Sequence, residues 1–190
     1  MSTPQALELL QQSDAEGALK ALQADIRSNP ADVKKRIFLF QLLCVLGQWE
    51  RALNQLTALG EMAASALPMV QTYREAIKCE MLRAEVFAGK KVPMLFGQPD
   101  TWTALLIEAM LREGKGELTE ARTLRDQAFE QAPSCAGTVD GQPFAWLADA
   151  DMRLGPVLEA IVNGKYYWIP MDRLSSVQIE APADLRDQVW

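Results

Sequence analysis

The sequence predicts a mainly α chain that ends in a small antiparallel β unit, an α+β arrangement. Apolar residues recur at helical spacing as far as residue 133, and beyond it they alternate with a period of two. Asn163-Gly164 then lies between two β-rich runs, which is the strongest short signal for a hairpin. We therefore expect a helical domain over residues 1–133, with an extended linker at about 89–99, and a β-rich unit over 134–190.

The helical part divides into segments with recognisable ends. Thr3-Pro4 is typical of an N-cap followed by proline at the first helical position, and Ser13-Asp14 opens a second helix that Pro30 ends. The linker is predicted from "GKKVPMLFGQP", which contains two prolines and two glycines. The remaining predicted helices cover 31–46, 48–60 and 67–88, and two more flank the Gly114-Lys115-Gly116 connection.

A degenerate repeat runs through the helical part. Ala18 and Ala52 are 34 residues apart, which is the tetratricopeptide period. Ala18 precedes Pro30 by 12 residues, and Ala121 precedes Pro133 by the same interval, as at the end of a tetratricopeptide unit. We expect two or three degenerate tetratricopeptide-like helical hairpins, because one hairpin cannot bury its apolar face without stacking on the next.

The C-terminal third is predicted to consist of short strands. In "PFAWLADADMRLG" the residues alternate, which places Asp149, Asp151 and Arg153 together on one face of a strand. The runs "VLEAIV" and "KYYWIP" form the predicted hairpin, and "SSVQIEAP" is predicted to add a further short strand.

Composition and charge narrow the functional class. The chain has 190 residues, 49% of them apolar and 23% charged, as in ordinary soluble domains. Its net charge of −6 argues against nucleic acid as a partner, because neutralising phosphates requires a surplus of Lys and Arg. No apolar stretch approaches the roughly 20 residues of a membrane span, and the start lacks the pattern of a secretory signal. We therefore expect a cytoplasmic protein with no membrane partner.

The chain contains no histidine. This excludes Ser-His-Asp and Cys-His nucleophiles as well as His-ligated zinc, and three scattered cysteines cannot form a four-cysteine zinc site. Any enzymatic mechanism would have to use carboxylates, lysine, arginine, tyrosine or cysteine. We predict no cofactor and no enzymatic activity.

The Asp149–Asp151 pair admits two interpretations. On one strand face the two carboxylates could share a divalent cation, as in a metal-dependent transferase. Such a transferase needs a nucleotide-binding α/β domain, and no strand, glycine-rich loop and helix precede this pair. Arg153 on the same face can instead pair with the carboxylates. The sequence favours this structural staple of Asp149, Asp151 and Arg153 over a metal site.

Two sets of residues are candidates for binding a protein partner. In a tetratricopeptide-like second unit, the first helix would present its concave stripe to a ligand helix. The alternative, which the apolar character of Ile37 and Val45 favours, is that these two are core residues. Tyr166 and Trp168 share one strand face and could form a docking patch or the β core. The concave stripe comprises Lys34, Ile37, Gln41 and Val45.

Taken together, these segments resemble the ImpE/TagJ (also SciE) family of type VI secretion accessory proteins. The resemblance is carried by "FAWLADADMRLGPVLEAIVNGKYYWIP", with "LFGQP" and "DLRDQVW" in support, and covers essentially the whole chain. It implies a non-enzymatic cytoplasmic adaptor that binds the N-terminal helix of the small sheath subunit and links the sheath to the ClpV AAA+ unfoldase. Because family members usually continue further, a C-terminal piece is expected to be missing after Trp190. A regulatory scaffold with an unrelated protein partner is a further alternative.

Overall fold

The computed structural model describes residues 4–185 and 187. Within these residues the chain is mainly α with a small β part, which confirms the predicted fold class. The helices are α1 Pro4–Gln11, α2 Ala15–Ser28, α3 Val33–Val45, α4 Trp49–Met62, α5 Leu67–Phe87, α6 Thr101–Gly114 and α7 Leu118–Gln131. The strands are β1 Met94–Leu95, β2 Gly137–Val139, β3 Gln142–Phe144, β4 Val157–Val162 and β5 Lys165–Pro170.

The chain forms two compact units that divide inside α5. The first unit contains the described residues up to Ile77 together with those from Ile179 onward, and the second unit runs from Lys78 to Gln178. This division differs from the expected boundary at residue 133. The reason is that a sheet of three short strands needs an apolar cover. Helices α6 and α7 provide it, since their buried residues share one core with β4 and β5.

The first unit contains helices that pack in succession around one core. Asp14 caps α2 by accepting a hydrogen bond from the Gly17 amide at 2.8 Å, and Asp32 caps α3 by accepting one from the Lys35 amide at 3.1 Å. Small residues at the repeat positions let the helices approach closely, because Ala18 and Ala52 are both fully buried. The largest buried side chains of this core include Leu22, Phe40, Leu42, Leu43, Leu56 and Leu59.

A C-terminal segment completes the first unit. The Tyr73 hydroxyl donates a hydrogen bond to Asp184 Oδ2 at 2.8 Å, and Leu185 packs against the helical core. The ring of Tyr73 also lies 5.1 Å, centroid to centroid, from that of Phe40. The predicted strand in "SSVQIEAP" is wrong, because residues 175–182 form no strand and the Ile179 side chain is exposed.

The second unit contains a three-stranded sheet of order β1-β5-β4. The predicted hairpin is confirmed: β4 and β5 pair antiparallel around Asn163-Gly164, whose φ angles of +51° and +71° suit a tight hairpin turn. The segment expected as a linker at 89–99 instead provides β1, which pairs parallel with β5 through Met94 and Tyr167. This pairing satisfies backbone groups on what would otherwise be an open edge of β5. The sheet is therefore mixed.

The backbone just after α5 passes close to the end of α6 at a pair of glycines, Gly89 and Gly114. A Cβ atom added at Gly114 would lie 2.5 Å from the Ala88 carbonyl oxygen and 2.7 Å from the Gly89 Cα. Both of these are backbone atoms, so a side chain at Gly114 could be accommodated only if the backbone moved.

No helix among the described residues has both the length and the apolar content needed to cross a membrane.

We expect Gly114→Ala to lower the free energy of unfolding by about 2 kcal/mol, because the new methyl group overlaps backbone. The control is Gly60→Ala in α4, where an added Cβ would meet Leu67 Cδ2 at an ordinary 3.5 Å. That control should be neutral or stabilising by up to about 1 kcal/mol through helix propensity. Thermal and urea unfolding followed by circular dichroism measures both, and equal effects would contradict the close approach.

Candidate functional site

The "WLADADMRLGP" segment is a loop, so the predicted strand across it is wrong. Strand β3 ends at Phe144, and residues 145–156 fold into turns. The Asp149 amide donates to the Gly155 carbonyl at 2.7 Å, and the Leu154 and Gly155 amides both donate to the Asp151 carbonyl, at 2.9 and 3.1 Å. Aspartate side chains compete with sheet partners for backbone N–H groups, which favours turns over a strand.

The two aspartates and Arg153 hold this loop together. Asp149 Oδ1 accepts a hydrogen bond from the Asp151 amide at 2.7 Å, and Asp151 Oδ1 accepts one from the Arg153 amide at 2.9 Å. The Arg153 guanidinium meets the Asp151 carboxylate in a forked contact, with Nε 2.9 Å from Oδ1 and Nη2 2.6 Å from Oδ2. Asp149 therefore acts through the backbone, and Asp151 is the carboxylate that pairs with arginine.

The paired arginine also changes the acid–base behaviour of the loop. The Arg153 side chain, by hydrogen bonding to the carboxylate, lowers the pKa of Asp151 below its ordinary value. The same contact raises the pKa of Arg153. Both groups consequently stay charged at neutral pH, and neither is poised to exchange a proton there.

A second arginine pair lies beside this loop. The guanidinium carbons of Arg83 and Arg153 lie 4.7 and 4.6 Å from the centroid of the Phe87 ring, within the range of a cation–π contact. Arg83 in turn forms a bidentate pair with Glu159, with Nε to Oε1 at 2.8 Å and Nη2 to Oε2 at 2.9 Å. Helix α5 is thereby tied to the loop and to β4.

Tyr166 and Trp168 are core residues in the structure and not a docking patch. The Trp168 Nε1–H donates to the Tyr166 hydroxyl at 2.8 Å, and that hydroxyl donates to Glu159. Both side chains are fully buried, and burial raises the pKa of the Tyr166 phenol. A partner could reach them only by opening the second unit, so they are not exposed binding residues. The β-core interpretation of the same alternation describes them correctly.

The chemistry of the Asp149–Asp151 pair is that of a turn. One Oδ1 atom of each residue is committed to a backbone amide, and the remaining oxygen of Asp151 faces Arg153. Among residues 4–185 and 187, no group of three or more Cys, Asp or Glu side chains is arranged to hold a metal ion.

An apolar cavity of about 310 Å³ lies beside the loop. Trp146 and Met152 line it and remain 69% and 62% exposed, and Phe129 of α7 forms part of its wall. The alternation that predicts a strand places Trp146 and Met152 on the face opposite Asp149 and Asp151, and it gives no sign of this exposed surface. The turn-forming aspartates between them were the signal that could have revealed it.

The predicted stripe on α3 is only partly available to a ligand. Lys34 is exposed, but Ile37 packs against the core and Gln41 is only 9% exposed. Val45 is half-buried at the end of the helix. The structure thus keeps the four residues on one helix face, as their spacing requires, while the middle of that face belongs to the core of the first unit.

Comparison with known proteins adds three findings. The ImpE protein family matches residues 141–190. The type VI secretion system accessory component TagJ of Pseudomonas aeruginosa is 57% identical over 185 residues, which is 97% of this chain and 66% of that protein. The X-ray crystal structure of protein VPA1032 from Vibrio parahaemolyticus superposes with a TM-score of 0.91 at 24% identity, covering 98% of this chain and 70% of that one. This last likeness concerns the fold alone.

The staple predicts a graded response to substitution at Asp151. Asp151→Ala removes both the backbone acceptor and the charge, and we expect it to lower the free energy of unfolding by about 1–2 kcal/mol. Asp151→Asn keeps a neutral acceptor for the Arg153 amide and should cost less. Urea unfolding at neutral pH measures both, and an alanine variant as stable as the parent would remove the staple.

The pH dependence of stability provides a separate check. Because the folded-state pKa of Asp151 is lowered, its contribution is fully present above the ordinary aspartate pKa of about 3.9 and is lost as pH falls through the lowered value. We expect the stability difference between the parent and Asp151→Asn to shrink as the pH is lowered through that range. A difference that stays constant down to the acid limit would contradict the charge pairing.

Proposed function

This chain belongs to the ImpE/TagJ family, and we propose that it acts as a non-enzymatic cytoplasmic adaptor of a type VI secretion system. The observation that carries the proposal is the 57% identity to the accessory component TagJ, which extends over 97% of this chain. The chain spans 66% of the length of that curated relative.

In this proposal the adaptor binds the N-terminal helix of the small sheath subunit and links the sheath to the ClpV AAA+ unfoldase. Stacked helical hairpins support the first step, because such scaffolds form grooves in which an amphipathic helix can lie with its apolar face inward. The first unit has such a scaffold in α1–α4.

The non-enzymatic part of the proposal draws support from what the conspicuous carboxylates already do. A transferase would need Asp149 and Asp151 free to bind a cation, whereas each accepts a backbone hydrogen bond and Asp151 also pairs with Arg153. A metal ion would have to displace a cation that is part of the chain itself. We therefore favour the adaptor over the transferase.

Isothermal titration calorimetry with the synthetic N-terminal peptide of the small sheath subunit tests the adaptor directly. We expect saturable binding with a dissociation constant in the micromolar range. This corresponds to a binding free energy of about −8 kcal/mol or somewhat weaker. A scrambled peptide of identical composition is the control. Binding no tighter than about 1 mM to the full-length protein would reject this partner.

A metal titration separates the two functional classes. We expect millimolar Mg²⁺ or Mn²⁺ to leave the melting temperature unchanged, because only a ligand that prefers the folded state raises it. A rise that Asp149→Asn abolishes, in a variant that otherwise melts like the parent, would return the transferase to consideration.

A further inference from the structure

A basic groove lies in the first unit between α2, α3 and α4. It has a volume of about 260 Å³ and a floor of Ile26, Leu39 and Leu43. Three arginines line it, one from each helix: Arg27, Arg36 and Arg51. None of the described residues that line this groove is acidic. An apolar floor surrounded by guanidinium groups is unusual in a chain whose net charge is −6.

The three arginines keep their positive charge uncompensated. Arg36 donates from Nε to the Pro30 carbonyl at 2.8 Å and from Nη1 to Gln55 Oε1 at 3.0 Å, and both acceptors are neutral. Arg51 donates to the neutral side-chain amide of Gln48. Within the described residues, none of the three arginines pairs with a carboxylate.

Two carboxylates of the first unit, Asp25 and Asp32, are engaged by a lysine outside the groove lining. Asp25 of α2 lies 2.8 Å from the Lys35 ammonium, and Asp32 lies 3.8 Å from the same group. Lys35 thus engages both of these carboxylates, and the charged residues that line the groove are all arginines. An anionic group entering the groove would meet attraction without an internal competitor.

Arg36 is also held ready for such a group. Two of its five N–H donors fix the guanidinium in place, and the others remain for a ligand. A pre-positioned guanidinium loses little conformational freedom on binding, and its planar fork matches the geometry of a carboxylate. The apolar floor favours a carboxylate that arrives together with an apolar side chain over a free inorganic anion.

We propose that this groove binds an acidic side chain and a neighbouring apolar side chain presented by a helix of the partner protein. The assignment rests on the adaptor function proposed above and specifies the chemistry of the segment that is captured. The volume suits one or two side chains of a helix that lies across α2, α3 and α4.

The groove replaces the α3 stripe expected from the sequence as the recognition surface. At 100° per residue, Arg36, Leu39 and Leu43 lie on the opposite side of α3 from Lys34 and Gln41. Lys34→Gln is therefore a matched control: it makes the same charge change on the same helix, but outside the groove.

The test measures binding of two synthetic amphipathic helices to the full chain by fluorescence anisotropy at low salt. One peptide presents Glu and Leu on adjacent positions of one face, and the other has Gln in place of every Glu. We expect the Glu peptide to bind at least about tenfold more tightly, and its affinity to fall as salt screens the attraction. Equal affinity for the two peptides would overturn the proposal.

Arginine variants then locate the binding. The Arg27 side chain makes no hydrogen bond within the described residues, so Arg27→Gln tests the charge without removing an internal contact. We expect Arg27→Gln and Arg36→Gln each to weaken Glu-peptide binding by about threefold to tenfold, and Lys34→Gln to change it less than about twofold. If Lys34→Gln weakened Glu-peptide binding as much as each arginine variant does, the binding site would lie outside the groove. Displacement of the Glu peptide by millimolar inorganic phosphate would reassign the groove to small anions.

The same variants separate this inference from the adaptor proposal. Arginine-dependent binding of the Glu peptide, without binding of the sheath-subunit peptide, would uphold the groove and reject that partner. Binding of the sheath-subunit peptide with an affinity that Arg27→Gln and Arg36→Gln leave unchanged would uphold the partner and reject the groove.

Discussion

The structure depends on one packing constraint: each helical hairpin of the first unit can bury its apolar face only against the next hairpin. Ala18 and Ala52 satisfy it by letting neighbouring helices approach without a large side chain between them. Close packing at those crossings leaves a groove where α2, α3 and α4 meet, with Leu39 and Leu43 as its floor. The arginines that line it have no acidic partner within the groove, so the surface that packing leaves open is also cationic.

The second unit must likewise bury an apolar face, and there the face belongs to a sheet. A three-stranded sheet has one face to bury, and α6 and α7 cover it while α5 is tied to β4 by the Arg83–Glu159 pair. The aspartates of "WLADADMRLGP" then shape the loop that leads into β4. Their oxygens accept hydrogen bonds from backbone amides and from Arg153, so folding of the loop accounts for both carboxylates without a metal ion. The stretch on which the sequence resemblance rests is thus accounted for by folding.

The sequence predicted correctly those elements whose conformation is decided by neighbouring residues. The elements that it did not predict depend on contacts between residues distant in the chain. Asn163-Gly164 specified its hairpin because that dipeptide tolerates positive φ at both turn positions. The alternation of polar and apolar residues around Asp149 and Asp151 predicted a strand where the structure has a loop. Such a pattern takes no account of the competition of aspartate side chains for backbone N–H groups. The parallel pairing of Met94 with Tyr167 has no local signature at all. The groove takes one arginine from each of three helices. Because a single arginine in a sequence is typical of an ordinary solvated helix face, the sequence alone did not predict the groove.

If the groove between α2, α3 and α4 captures an acidic helical segment, that segment must contact the arginines that line it. The most direct measurement is a two-dimensional ¹H–¹⁵N spectrum of the labelled full chain, with arginine Nε–H resonances assigned, recorded while the unlabelled small sheath subunit is added. The account predicts that the Nε–H signals of Arg27, Arg36 and Arg51 shift together with the backbone amides of α2–α4. Shifts confined to the loop around Trp146 and Met152, with those three arginine signals unmoved, would contradict it.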